Sequence, residues 1–331
     1  MQKIFPERLS SGDEIRVIAP SRSLAIISQN LQDIANKRFK DLGLKVSFGK
    51  HVQERDIFDS SCIESRVHDL HEAFLDKNVK AILTVLGGFN CNQLMKYLDW
   101  NVIKNNPKIF CGFSDITALN NAIFAKTGLV SYSGPHYSTF GQERYLDYTL
   151  EYFKKCLFSS EPFLIEASDC WSDDEWWLDQ EVRNLIKNDG YVIINPGTAQ
   201  GTLLGGNLCT FNLLQGTEYF PDLRGAVLFL EDDSLAGPYS AVEFDRNLQS
   251  LIHLSAFEGV RGIVIGRFQK ASAITNDILI KIIKTKRELD RMPVIAQVDF
   301  GHTDPKITFP IGGEVLLEVP GDHALISIRE H

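Results

Sequence analysis

Between residues 15 and 126, four short apolar runs are each followed by a stretch with helical spacing, and this alternation restricts the fold more than any other feature. Ile15-Arg16-Val17-Ile18-Ala19 ends at Pro20-Ser21, as a strand entering a loop does, and residues 28–41 follow with helical spacing. Lys45-Val46-Ser47-Phe48 predicts a second strand. Residues 63–77 predict a helix with Val67, Leu70, Phe74 and Leu75 on one face. Val79–Leu86 reads as a buried strand stopped by Gly87-Gly88, and Asn92–Leu98 as a short helix. Lys108–Gly112 then predicts a strand and Ile116–Lys126 a helix. Strands alternating with helices pair in parallel, because each crossover helix returns the chain across one face of the sheet. The expected class is therefore α/β, with helices on both faces of a parallel sheet.

The order changes after about residue 160. Glu161–Ser172 reads as irregular and leads into the acidic, tryptophan-rich segment Trp171-Ser172-Asp173-Asp174-Glu175-Trp176-Trp177. Strand-rich stretches follow at Gly201–Asn207 and Gly225–Glu231. A helix near 241–256, a strand at 261–265, a helix near 276–288 and a Gly-rich strand tail complete the chain. The expectation is two domains, 1–160 and 161–331, with the linker near 155–175. No internal repeat is present.

The net charge of −9, without any block of Lys and Arg, argues against a nucleic-acid polymer as partner, whose phosphates call for a basic face. No run of about 18 apolar residues occurs, so no membrane span is expected. Residues 1–8 lack the apolar stretch of a secretory signal. Cys62, Cys91, Cys111, Cys156, Cys170 and Cys209 form no CxxC pair and read as reduced and buried. A cytoplasmic location is the expectation.

A serine hydroxyl is a weak nucleophile at neutral pH. It needs a base within hydrogen-bond reach and backbone donors for the oxyanion. Gly112-Phe113-Ser114-Asp115 lies between a predicted strand and a predicted helix, where a tight turn exposes Oγ and places the next N–H at a helix start. It lacks the second glycine of GxSxG. On these four residues alone, Ser114 or Asp115 capping the helix is the stronger reading. Gly87-Gly88 ends a strand expected beside 108–111, and ligands in open α/β sheets bind at such carboxyl ends. The Gly88 N–H is thus a candidate second oxyanion donor, though an ordinary turn explains the pair equally well.

Among the histidines, His68 and His71 lie i, i+3 on a predicted helix. With no further ligand cluster in sight they read as a surface face rather than a metal site. His136, after Ser133-Gly134-Pro135, is placed at the cleft, and His323 and His331 read as exposed. His302 follows a strand-like Pro293–Ala296 within Asp299-Phe300-Gly301-His302-Thr303-Asp304-Pro305, where a cleft position and a packed loop position both fit. Glu231 closes the apolar run Ala226–Leu230 and precedes Asp232-Asp233. There it either orients a histidine or belongs to a solvated turn.

In combination, these segments resemble the LD-carboxypeptidase family of serine peptidases, which includes cell-wall-recycling muramoyltetrapeptide carboxypeptidases and microcin C immunity proteins. The resemblance spans nearly the whole chain. It rests on Gly12–Ile15 with Ala19-Pro20-Ser21, Leu86–Asn90, Gly112–Leu119, Leu204–Leu208, Leu228–Asp232 and Gly301-His302, in family order. It implies a flavodoxin-like parallel-sheet N-terminal domain and a smaller α/β C-terminal domain, with the active site in the cleft between them, and a homodimer. It also implies a catalytic triad of Ser114, Glu231 and His302, an oxyanion hole from the N–H groups of Gly88 and Asp115, and neither metal nor cofactor. Substrate contacts are expected at Gly87, Phe89, Asn90, Trp171, Trp176, Trp177 and Asn207.

Leu86 stands where the cell-wall enzymes carry Arg, and Asn90–Leu94 with the tryptophan segment looks more like the microcin-immunity branch. In that branch an aromatic side chain of this loop stacks on the nucleotide base of a peptide–nucleotide substrate. Trp176, between Glu175 and Trp177, is the first candidate for that role. The alternatives are removal of D-alanine from a muropeptide, and a two-domain binding protein without chemistry. The last expects Glu231 and His302 to lie apart.

Overall fold

The computed structural model describes residues 2–331. Two sheets organise them. The first has the spatial order β14 (Phe309–Ile311), β5 (Ser131–Ser133), β4 (Ile109–Cys111), β3 (Val79–Thr84), β1 (Glu14–Ile18), β2 (Lys45–Phe48), and the last four are all parallel. Their helices are α1 (Gln29–Asp41), α2 (Ile63–Leu75), α3 (Trp100–Asn105) and α4 (Thr117–Thr127). Side chains alternate across this sheet. Ile15, Val17, Ala81, Leu83, Ile109 and Cys111 enter one core with α1, whereas Ile18, Ile82 and Phe110 enter another with α2 and α4. Both faces are apolar because both are covered, which is why the strands read as continuous apolar runs.

Local chemistry sets the helix ends. Ser28 caps α1 by accepting the Leu31 N–H, Asp99 caps α3, and α4 stops at Gly128 in the left-handed region, φ 79°. The predicted helix at 116–126 begins one turn earlier as a 3-10 turn, Ser114–Ile116. The helix expected at Asn92–Leu98 is a 3-10 turn over Cys91–Leu94, followed by α3, which the periodicity did not indicate.

After β5 (Ser131–Ser133) and α5 (Asp147–Leu157), the stretch expected to be irregular holds β6 (Phe163–Ile165) and β7 (Cys170–Trp171). β7 forms a two-stranded ribbon with β8 (Ile186–Lys187). The second sheet has the order β6-β16-β15-β10-β11-β12-β13-β9. It is built from β9 (Val192–Asn195), β10 (Gly197–Asn207), β11 (Ala226–Glu231), β12 (Gly262–Gly266), β13 (Val294–Val298), β15 (Glu314–Val319) and β16 (Leu325–Glu330). Strands β10 to β13 are parallel, with α6 (Leu208–Asn212), α7 (Ser240–Ile252) and α8 (Asn276–Lys284) as connections. Strand β14 (Phe309–Ile311) pairs antiparallel with β5, at the edge of the first sheet. The returning chain thereby ties the two sheets together.

All six cysteines are free, and Cys62 and Cys209 are exposed rather than buried. His331, expected at the surface, is buried, with Nδ1 2.9 Å from the Cys156 carbonyl. Among the described residues, no helix is long and apolar enough to cross a membrane.

Candidate active site

Three carboxyl ends of parallel strands supply the site. β4 ends at Cys111, and Gly112-Phe113 carry the chain into the turn at Ser114. Ser114 has φ 60°, a left-handed conformation that a non-glycine residue adopts at a cost of about 1–3 kcal/mol. The tight turn holds Oγ away from the helix that follows. β11, buried along its length, ends at Glu231, and β13 leads into the loop carrying His302.

Ser114 and Glu231 meet on opposite sides of the His302 ring. Nδ1 lies 2.7 Å from Glu231 Oε2, and Nε2 lies 3.0 Å from Ser114 Oγ. An ionised carboxylate only accepts, so the proton of neutral His302 sits on Nδ1 and the Nε2 lone pair faces the serine hydroxyl. The separation expected for a binding protein without chemistry does not occur. Burial opposes the charged imidazolium. The charges of Glu231, Asp233 and Asp232, with the Glu231 hydrogen bond, outweigh it and raise His302 above the usual histidine value. Gly301 makes this approach possible: its φ is 101°, and a Cβ there would lie 2.6 Å from Glu231 Oε2.

Gly87 and Gly88 border the serine. A Cβ on Gly87 would stand 3.0 Å from Ser114 Oγ, and one on Gly88 would stand 2.3 Å from Ser21 Oγ. The loop is held by the buried Asp115 side chain. Its Oδ2 accepts from the Ser21 hydroxyl at 2.6 Å and from the Asn90 and Cys91 N–H groups at 2.9 Å each. Among the described residues, the N–H groups of Gly88 and Asp115 donate to no acceptor of the chain. Asn90 therefore belongs to the frame of this loop through its backbone, while the Phe89 ring beside it is exposed.

Of the other expected contacts, Asn207 lies opposite Glu231 in the register of β10 and β11. Asn207 is buried and caps α6, its Oδ1 accepting the Thr210 N–H and its Nδ2 donating to Asp232. The tryptophan segment is anchored next to the His302 loop, because Ser172 and Asp304 exchange two backbone hydrogen bonds of 2.7 and 2.8 Å. Within it, Trp171 lies under the cations of Arg267 and Lys270. Trp176 is 7% exposed and Trp177 50%, their rings meeting edge-on. The first candidate for stacking is thus the more buried of the two, and Trp177 presents the open face.

Two contributors were not singled out from the sequence. Ser21 reaches Asp115 from the end of β1, and its position at a strand's carboxyl end was the available signal. Lys306 lies 5.4 Å from the Phe113 ring, and only the fold brings it there. His136 is buried against Phe113, with Nδ1 2.8 Å from Thr84 Oγ1, and burial first and then the nearby Lys306 and His302 charges push it well below the usual histidine value.

Comparisons with known proteins place the chain in a family. The profile of the LD-carboxypeptidase N-terminal domain matches residues 15–134, and that of its C-terminal domain matches residues 200–317. A solved MccF-like protein from Bacillus anthracis is 53% identical, covers 99% of this chain and 100% of its own, and superposes with a TM-score of 0.98. YocD of Bacillus subtilis, provisionally named a carboxypeptidase, is 53% identical over 99% of this chain and 100% of its own. Further away, the microcin C7 self-immunity protein MccF of Escherichia coli is 29% identical over 97% of this chain and 94% of its own. A structure of MccF in complex with glutamyl sulfamoyl guanosine has a TM-score of 0.87 at 28% identity, covering 98% of each chain. At similar distance, a Bacillus subtilis protein provisionally named a murein peptide carboxypeptidase is 30% identical, over 97% of this chain and 94% of its own.

Proposed function

The chain belongs to the LD-carboxypeptidase family, and from that premise we propose that it is a serine carboxypeptidase acting on aminoacyl- or peptidyl-nucleotide conjugates. The observation that carries the serine mechanism is the hydrogen-bonded series Ser114–His302–Glu231, at 3.0 and 2.7 Å. Ser114 Oγ attacks the carbonyl carbon while His302 Nε2 takes its proton. Glu231 holds the ring and stabilises the imidazolium. The oxyanion accepts the N–H groups of Gly88 and Asp115. The C–N bond then breaks, and His302 returns the proton to the leaving nitrogen. Water repeats the sequence on the acyl-enzyme, releasing the acid and restoring Ser114.

Two features support a nucleotide on the leaving side. By the family resemblance, Leu86 stands where cell-wall members carry Arg beside the glycine pair, and Trp177 offers an open aromatic face on a segment anchored to the His302 loop. The murein reading is supported by a relative as similar as MccF, so both substrates belong in the test.

Purified parent protein and Ser114→Ala are incubated with glutamyl sulfamoyl adenosine and with a muropeptide tetrapeptide, and products are read by mass spectrometry. The proposal expects cleavage of the nucleotide conjugate by the parent and none by the variant. Equal cleavage by Ser114→Ala overturns the mechanism. Faster release of D-alanine from the muropeptide overturns the substrate assignment. The homodimer implied by the family is tested by light scattering.

A further inference from the structure

His51 lies in the loop after β2, and His68 and Asp69 are neighbours on α2. One nitrogen of each imidazole and one Asp69 carboxylate oxygen all lie within 4.8 Å of one another. Two observations set this cluster apart from a chance meeting of polar groups. Asp69 is 4% exposed, and its buried Oδ1 has no hydrogen-bond partner. The other oxygen, Oδ2, accepts the His51 backbone N–H at 2.8 Å, which fixes where Oδ1 points. His68 Nδ1 is 3.5 Å from Oδ1, too poorly aligned to satisfy it. A buried carboxylate oxygen with no donor calls for a cation. The second observation is the Glu54 carboxylate, 2.6 Å from His51 Nδ1. A carboxylate on one ring nitrogen fixes the tautomer and leaves the other nitrogen's lone pair for a metal, the arrangement that accompanies metal-bound histidines.

We propose that His51, His68 and Asp69 bind a divalent transition-metal ion, with zinc the best match, at a site separate from the catalytic triad. Two imidazoles and a carboxylate make three ligands of a tetrahedral zinc centre, and water completes the fourth. Magnesium and calcium prefer all-oxygen sets, which this is not. The His68 side chain is 48% exposed, so the ion has a path in. His71 does not join, because its Nε2 accepts the Asp99 N–H at 2.9 Å. The ligands are His68 with its sequence neighbour Asp69 and a histidine from another element.

The ion ties the loop over residues 49–60 to α2. Ser60 Oγ of that loop donates to the Ser21 carbonyl at 2.6 Å, and Asp59 pairs with Arg22 at 3.3 Å. Ser21 and Arg22 are the side chains against Gly88. Metal binding thus stiffens the support behind the glycine loop without entering the chemistry.

The test uses untagged, chelator-treated full-length protein titrated with zinc chloride in a calorimeter, and with cobalt(II) followed by visible absorption. One zinc per chain is expected, with a rise in Tm of about 4 °C at a hundredfold excess over Kd. His68→Ala, at a half-exposed position, should weaken binding at least about a hundredfold, and His51→Ala likewise. Absence of zinc binding by the parent overturns the proposal, leaving a plain His68–Asp69 ion pair. Equal binding by both variants also overturns it. So does loss of binding only in Cys209→Ser, which would place the ion at the cluster of Cys209, Asp232 and Asp233.

Discussion

The Asp115 carboxylate accepts the Ser21 hydroxyl at 2.6 Å, joining the turn after β4 to the end of β1. The same oxygen holds the N–H groups of Asn90 and Cys91, so one buried side chain positions the loop that carries Gly88. Asp115→Ala keeps its own backbone N–H but releases that loop. We expect kcat to fall by about 10²-fold, the range for losing one oxyanion donor, with KM little changed. Ser21→Ala leaves two of the three bonds and should lose less. Steady-state kinetics, with circular dichroism to verify folding, measures both, and an unchanged kcat in Asp115→Ala refutes the role.

The pH profile follows from the acids around His302. Protonated His302 cannot accept the serine proton, and its pKa is raised above the ordinary 6.5. kcat/KM should therefore rise with pH through a midpoint above that value. Asp232, pushed up to about 7 by burial and then by the Glu231 and Asp233 charges, titrates in the same window, so the limb belongs to the cluster. Asp232→Asn removes a negative charge near His302 and should move the midpoint to lower pH. Stability carries its own sign. Folded Asp232 keeps a proton that the unfolded chain loses near its ordinary 3.8. Its contribution to stability therefore falls as pH rises from about 4 to 7, and Asp232→Asn should flatten that decline. A midpoint that stays in place or moves upward in the variant contradicts this account.

Trp177 presents half of its surface to solvent beside the buried Trp176. Base stacking is worth about 1–3 kcal/mol, so Trp177→Ala should lower kcat/KM for a nucleotide conjugate by about 5- to 150-fold. Turnover of a muropeptide should not change. Equal losses on both substrates would mean that the ring supports the loop instead of the base.

Beneath the His302 loop, Asp299 and Arg267 form an ion pair at 3.2 Å, with side chains 1% and 6% exposed. Asp299 also accepts the Ser168 N–H at 2.8 Å, which joins the loop to the start of the tryptophan segment. Asp299→Ala leaves the guanidinium buried and unpaired and should destabilise the fold by about 3–5 kcal/mol. Urea unfolding measures this, and a loss under about 1 kcal/mol would show that the pair is dispensable.

The positions of these residues differ in how far the sequence reveals them. Glu231 ends a strand and Ser114 opens the turn just past one, both strands that apolar runs make visible, so their places at carboxyl ends were legible. His302 was visible only as a histidine beside a glycine. Gly301 matters because a Cβ would strike Glu231, a contact between residues 70 positions apart along the chain. Asn207 and Trp176 were expected to face ligand. In the folded chain Asn207 satisfies the first turn of α6 and Trp176 is buried, roles that backbone donors and apolar area impose and that local sequence does not reveal.

By itself, the sequence determined the elements whose signals are local. The apolar runs and helical periods over residues 15–126 give a parallel α/β sheet whatever follows them, since period and hydrophobicity act within a few residues. Only the tertiary structure decided what those elements bring together. His302 meets Glu231 across 71 residues and Ser114 across 188. Strand β14 returns from the far end of the chain to close the first sheet. His51 reaches Asp69 from a loop that no helical spacing connects to it. Such contacts depend on how sheets pack and chains cross over, and no period within a short window encodes them.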